Sequence, residues 1–311
     1  MQLQVTICPI LIGLSWLLWG SVSTVQASEV LSSEVLSSET SPILYAQFSQ
    51  QDQAIEWMTR GLELVQAGNL TEAIAAFRQA IAIDPTLAPA YYNLGLALRQ
   101  SGDLQAAADA FYQAIQNDPG FALAYANLGA ALLEGNNLQQ ANDYLQRAIA
   151  LDPKMGIAYY NLGLVQQQQG KLEEAIASYR QAMRHSPDAP EPGYYLGLLY
   201  LQQNQLREAE DALKKVLQIA PNYAEAHYHL GFVFFSRGKL EDALDAFRRA
   251  AESNPNYANA YYGAGLVFLR QNLYSDAIRV LEYARDLYSQ QGAREWARKA
   301  EDLIQQARSQ Q

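Results

Sequence analysis

A proline recurs every 34 residues along this chain, at Pro85, Pro119, Pro153, Pro187, Pro221 and Pro255. A fixed period of that size marks an array whose units cannot bury their apolar faces alone and do so against their neighbours. With the prolines set at place 32 of a unit, the first unit starts at Ala54. A glycine then stands at place 8 of seven successive units: Gly61, Gly95, Gly129, Gly163, Gly197, Gly231 and Gly265. Place 20 is alanine in all seven, and place 27 is alanine in every unit except the one that carries Val216. Small residues at fixed places let helices approach closely.

Within a unit the apolar residues follow a helical spacing that is interrupted once by Gly68, Gly102, Asn136, Gly170, Asn204, Gly238 or Asn272 and again near the proline. Each unit therefore predicts a helical hairpin, and the chain an all-α solenoid of seven hairpins over residues 54–291. The units run 54–87, 88–121, 122–155, 156–189, 190–223, 224–257 and 258–291. Residues 292–311 place Trp296, Ala300, Leu303 and Ile304 on one helical face and predict a helix that caps the last hairpin. No stretch of the chain is left over for a separate catalytic domain.

The unit resembles the tetratricopeptide repeat. Tyr91, Leu94, Gly95 and Leu98, followed by Ala107, Phe111, Ala114 and Pro119, match its pattern of an aromatic, Leu-Gly, a large residue, then Ala, an aromatic, Ala and Pro. Gly193 and His227 depart from it where the first aromatic belongs, and Ser289 replaces the last proline. The resemblance implies a right-handed superhelix whose first helices line a concave groove.

Ahead of the array, Val5 to Trp19 form an uncharged apolar run, and Val25-Gln26-Ala27 precede Ser28. Residues 1–27 read as a secretory signal cleaved after Ala27, which predicts a periplasmic or other extracytoplasmic location. No Lys or Arg precedes the run, so an uncleaved anchor that holds residues 5–22 in a membrane is the alternative. The run is shorter than the roughly 20 residues a spanning helix needs. Residues 28–53 begin with the acidic, serine-rich SEVLSSEVLSSETSP and read as a disordered tether leading into the first helix.

By the resemblance, places 2, 5, 6, 9, 12 and 13 of each unit point into the groove. Place 5 supplies Tyr92, Tyr160, Tyr194, Tyr228 and Tyr262. Place 6 supplies Asn93, Asn127 and Asn161, a ladder similar to that in the repeat arm of O-linked N-acetylglucosamine transferases, where such residues bond to the backbone of an extended peptide. A carboxamide both donates and accepts, so it can satisfy a peptide unit without reading its side chain. Three such bonds, at about 0.5–1.5 kcal/mol each, fall short of the roughly 8 kcal/mol of micromolar binding. Apolar contact must supply the rest, and Leu198, Leu201, Phe232, Phe235, Leu266 and Leu269 at places 9 and 12 offer it. Charged groove places are few: Glu191, Glu225, Arg99, Glu134 and Arg270. The expected partner is an extended or helical protein segment, largely neutral, with aromatic or aliphatic anchors. Tyrosine and asparagine at these places equally suit packing between adjacent helices, and that reading stands beside the first.

The remaining chemistry is sparse. With 32 acidic against 22 basic residues and a net charge of -10, the chain is a poor match for nucleic acid. The single cysteine, Cys8, excludes a disulfide framework and a cysteine-ligated metal. His227 and His229 diverge on a helix and cannot chelate one ion, and Gly163 to Lys171 lacks the spacing and hydroxyl of a phosphate loop. The groove places hold no lysine, unlike those of the cochaperones that grip terminal carboxylates. No catalytic residue, cofactor or metal is expected. The reading is a non-catalytic scaffold or adaptor that supports complex assembly outside the cytoplasm. A regulatory or substrate-presenting subunit for a separate enzyme such as a glycosyltransferase is one alternative, and self-association through Phe232 and Phe235 is the other.

Overall fold

The computed structural model describes residues 41–311, with side chains from Gln50 onward. The leader and the part of the tether before Ser41 lie outside the described residues. Among the described residues there are fifteen α-helices and no strand: α1 Ser41–Gln66, α2 Leu70–Ile83, α3 Ala88–Gln100, α4 Leu104–Asn117, α5 Ala122–Glu134, α6 Leu138–Leu151, α7 Gly156–Gln168, α8 Leu172–His185, α9 Pro190–Gln202, α10 Leu206–Ile219, α11 Ala224–Ser236, α12 Leu240–Ser253, α13 Ala258–Arg270, α14 Tyr274–Gln290 and α15 Arg294–Arg308. They form the seven consecutive hairpins and the final helix that the repeat predicts. The lead-in from Ser41 is already helical, with Pro42 in the first turn, where a missing N–H leaves no bond unmade.

One tight turn joins the two helices of each of the seven hairpins, and each turn demands a left-handed backbone. Gly68, Gly102, Gly170 and Gly238 adopt φ between 74° and 88°, and Asn136, Asn204 and Asn272 adopt φ of 58–59°. The residue after each reaches back across the turn, as in Asn137 N to Leu132 O at 2.7 Å and Lys171 N to Gln166 O at 2.8 Å, which satisfies carbonyls the helix leaves open. Between hairpins, the residue before the proline accepts from the amide two positions on: Asp84 from Thr86, Asp118 from Gly120 and Asp152 from Lys154, each at 2.9 Å, and Asn254 from Asn256 at 3.0 Å. This turn bridges the proline, which has no N–H of its own to offer.

The chain divides at Ala90/Tyr91 into two compact units. In the first, α1 and α2 form one hairpin. Phe77 is wholly buried there, and its ring occupies the space a Cβ on Gly61 would take. The second unit repeats this device. Phe111, Tyr179 and Phe247 lie against Gly95, Gly163 and Gly231, while Leu145, Leu213 and Leu281 lie against Gly129, Gly197 and Gly265. The place-8 glycine is therefore a seat for the large residue at place 24 of the second helix.

Second helices bury one stripe, as α10 does with Ala209, Ala212, Leu213 and Val216 at helical spacing. First helices bury far more of their surface. In α5, Ala124, Ala126, Leu128, Gly129, Ala130, Ala131 and Leu133 are all buried, because the helix packs on α4, on α6 and on α7. At the C-terminal end, α15 buries Ala300, Ile304 and Ala307, and Ile304 joins Ala277 and Leu281 in one cluster. Arg285 with Glu301 at 2.9 Å and Arg308 with Glu282 at 2.7 Å tie the cap to α14. Trp296, in its first turn, remains 41% exposed and stacks on Tyr288 with ring centroids 6.0 Å apart.

Candidate protein-binding groove

The residues assigned to the groove sit on α3, α5, α7, α9, α11 and α13, all in the second unit, and the structure sorts them into three groups. Tyrosines at place 5 are packing residues, each with an edge toward solvent except Tyr160. Tyr92 lies 5.8 Å from Phe111 and 4.9 Å from Phe121, Tyr194 lies 5.1 Å from Tyr223, and Tyr228 lies 5.8 Å from Phe247 and 5.5 Å from Tyr257. Tyr262 meets Tyr288 and Trp296 edge-on at 6.2 and 5.7 Å. Tyr160 is buried against Tyr179 and Tyr195, and its hydroxyl finds no partner among the described residues. Burial pushes the Tyr160 and Tyr194 phenols far above their usual range and Tyr228 up to about 12, so the line stays neutral.

Place 6 is a seam between hairpins. Asn161 is only 4% exposed, which keeps its carboxamide from a ligand in the groove. The Asn127 amide donates to Tyr92 Oη at 3.2 Å and to the Leu123 carbonyl at 3.0 Å. At the same place, Tyr195 stacks on Tyr179 of the preceding hairpin at 5.9 Å, and a Cβ on Gly263 would meet the Phe247 ring at 2.5 Å. His229 lies between Tyr194 and Tyr228, 5.7 and 4.9 Å from their rings, and burial holds its imidazole down to about 4. Asn93 is half-buried and has no bond to another described residue. The three asparagines thus stand in three different environments.

The apolar places divide in the same way. Leu201, Phe235 and Leu269 at place 12 pack against the core clusters of their hairpins. Phe235 is further covered by Arg270, whose guanidinium sits 5.2 Å from the ring and donates to the Phe235 carbonyl at 3.1 Å. Arg99 and Glu134 occupy the equivalent pair of places on α3 and α5 and form an ion pair, with Arg99 Nε 3.0 Å from the carboxylate. Leu198, Phe232 and Leu266 at place 9 are half-buried and stand apart from the described core clusters. Of the charges assigned to the groove, Glu191 and Glu225 remain without an ion-pair partner among the described residues.

The sequence reasoning missed the aromatics at place 34, Phe121, Tyr223 and Tyr257, which back the place-5 tyrosines. Their recurrence at one place was a usable signal. It also missed the place-12 to place-13 contact that pairs Arg99 with Glu134 and Arg270 with Phe235. Among the described residues, no group of His, Cys, Asp or Glu is placed to hold a metal, and no helix is long and apolar enough to cross a membrane. His227 is buried, with Nε2 2.8 Å from the Pro221 carbonyl, and His185 stacks on Tyr159 at 5.5 Å.

Known proteins place this architecture. The family model for the cilia and flagella-associated protein 70 C-terminal domain, a tetratricopeptide-repeat family, matches residues 46–265. Among solved structures, YrrB, described as a TPR protein with an unusual peptide-binding site, is 27% identical with a TM-score of 0.54, covering 63% of this chain and 99% of its own. PilF of Pseudomonas aeruginosa is 20% identical with a TM-score of 0.61, covering 68% and 96%. A tetratricopeptide repeat protein from Parabacteroides merdae is 17% identical with a TM-score of 0.58, covering 80% and 99%. No curated protein matches the sequence. The fold is of a kind that generally mediates protein–protein interaction and is generally non-catalytic. With one family model spanning most of its length and its own 34-residue repeat in register throughout, the chain belongs to the tetratricopeptide-repeat family of the cilia and flagella-associated protein 70 C-terminal domain.

Proposed function

We propose that this protein is a non-catalytic scaffold that binds a segment of a partner protein along the first helices of its second half. The observation that carries the reading is the row Leu198, Phe232 and Leu266. These are large apolar side chains at 34-residue spacing, only partly buried and outside the described core clusters, beside the neutral phenols of Tyr194, Tyr228 and Tyr262. An apolar row left partly open on successive hairpins is a usual mark of a contact surface. It suits a largely neutral segment that presents an apolar side chain to each hairpin in turn, as an extended strand or one face of a helix does.

The peptide-binding site named for YrrB supports the same mode, since that protein aligns over nearly its whole length. The asparagine ladder has a smaller part than the sequence implied, because Asn161 is buried and Asn127 already donates to Tyr92. The apolar run at residues 5–19 and the small-residue site before Ser28 support export, and the scaffold would then assemble its complex outside the cytoplasm. Affinity capture with the wild-type chain and a Leu198→Ser/Phe232→Ser/Leu266→Ser variant tests the groove. Loss of one reproducible protein set from a variant with unchanged helicity supports the reading, and undiminished capture overturns it. Fractionation of cells expressing the full chain tests the location.

A further inference from the structure

Six of the seven units carry a ring at place 4: Trp57, Tyr91, Tyr125, Tyr159, His227 and Tyr261. The fifth unit carries Gly193, and at that spot a pocket of about 630 Å³ opens between α8, α9 and α10, floored by Met183, Leu196, Tyr200 and Val216. The two departures from the repeat in this unit are related. Val216 stands where every other unit has alanine, and a Cβ on Gly193 would lie 3.0 Å from its Cγ2, so the valine takes up part of the space a ring would fill. The remainder is left open. In the preceding unit the place-4 ring, Tyr159, stacks on the place-30 residue His185 at 5.5 Å. Place 30 of this unit is Ile219, which lines the pocket and is 37% exposed, an apolar side chain lacking the ring that covers its counterpart.

The rim adds charge. Arg180, Arg184 and Lys215 line it, and none has a carboxylate partner among the described residues. Arg180 donates to Tyr200 Oη at 2.6 Å and Arg184 to Gln181 at 3.2 Å. Glu208 and Asp211 line it from the same face of α10 as Lys215, with Asp211 one helical turn before the lysine. The rim thus carries three cations against two acids, and its α8 side, with Arg180 and Arg184, is purely cationic. We propose that the Gly193 pocket receives an aromatic side chain of a partner protein, restoring the ring this repeat unit lacks, from a segment with carboxylates beside the ring. The pocket is on the face of the second helices, so the inference is independent of the groove and of its test.

Methionine-methyl NMR of the full chain tests it, because Met183 is one of only four methionines and its methyl carbon lies 3.4 Å from the Cβ position of Gly193. The probes are the capped tripeptides Glu-Tyr-Glu, Glu-Ala-Glu and Lys-Tyr-Lys. The Met183 methyl is expected to shift saturably with Glu-Tyr-Glu, about tenfold or more weakly with Glu-Ala-Glu, and more weakly with Lys-Tyr-Lys. Gly193→Tyr combined with Val216→Ala restores the repeat's usual pair and should abolish the response while leaving helicity intact. Arg184→Glu/Lys215→Glu changes exposed residues only and should reverse the order of the two tyrosine probes. An unshifted Met183, an equal response to the alanine probe, or binding that persists in the filled pocket overturns the proposal. Equal affinity for the two tyrosine probes overturns its acidic flank.

Discussion

Phe247 is held between two glycines, and this arrangement makes a sign-changing prediction. A Cβ on Gly231 would lie 2.7 Å from the ring, and one on Gly263 2.5 Å from it, with the ring 3% exposed and unable to swing into solvent. Carbon atoms in contact rest about 3.5–4 Å apart, so Gly231→Ala must push ring or helix by roughly 1 Å. Overpacking of this kind costs about 1–3 kcal/mol, while replacing glycine inside a helix returns about 0.8–1 kcal/mol. The net expectation is a loss of about 0–2 kcal/mol. In a Phe247→Ala background, itself costing about 3–5 kcal/mol, the clash is gone and Gly231→Ala should stabilise by about 0.5–1 kcal/mol. Leucine at residue 247 should give no such relief. In the sister units Leu145, Leu213 and Leu281 still place Cγ 2.5–2.9 Å from the glycine's Cβ position. Solenoids unfold by segments, so the assay is native-state hydrogen exchange on the amides of α11 to α13, supported by urea melts. An equal effect of Gly231→Ala in the wild-type and Phe247→Ala backgrounds would refute the reasoning.

Three further outcomes follow from individual residues. Tyr160→Phe should leave the fold unchanged and stabilise it by up to about 1–2 kcal/mol, because the buried hydroxyl has no partner among the described residues; a destabilised variant in thermal melts counts against this. Gly170→Ala, at φ 75°, should cost about 1–2 kcal/mol, whereas Asn204→Gly at φ 58° should be neutral or slightly stabilising, and chemical denaturation distinguishes the two. His229 is held down to about 4 from an ordinary value near 6.5, so the folded chain binds its proton less readily than the unfolded one. Its contribution is present in full above pH 6.5 and is lost as pH falls toward 4, by up to about 3 kcal/mol. His229→Phe should flatten the stability profile over that window, and an unaltered slope would count against the burial argument.

The hairpins were legible in the sequence because their constraints are local and periodic. Glycine or asparagine must occupy each left-handed turn, and the place-8 glycine must leave room for the place-24 side chain, so both leave a mark at every repeat. The groove was legible only in part. Whether Asn161 faces a ligand or a neighbouring hairpin depends on how far one hairpin rotates against the next, and the period does not record that angle. Phe235 reads as a free anchor in the sequence, but in the fold Arg270 lies over it. Gly193 and Val216 were visible as exceptions, yet only the spatial arrangement shows that one partly fills the space the other leaves.

The most direct test of the scaffold reading is site-specific photocrosslinking in cells, with benzoylphenylalanine at Phe232 or Leu266 and, as a control, at Tyr283, which is 47% exposed on α14. The groove account predicts that the first two positions crosslink to one contiguous segment of the same partner and that Tyr283 does not. Crosslinks confined to Tyr283, or unrelated proteins at Phe232 and Leu266, would contradict it.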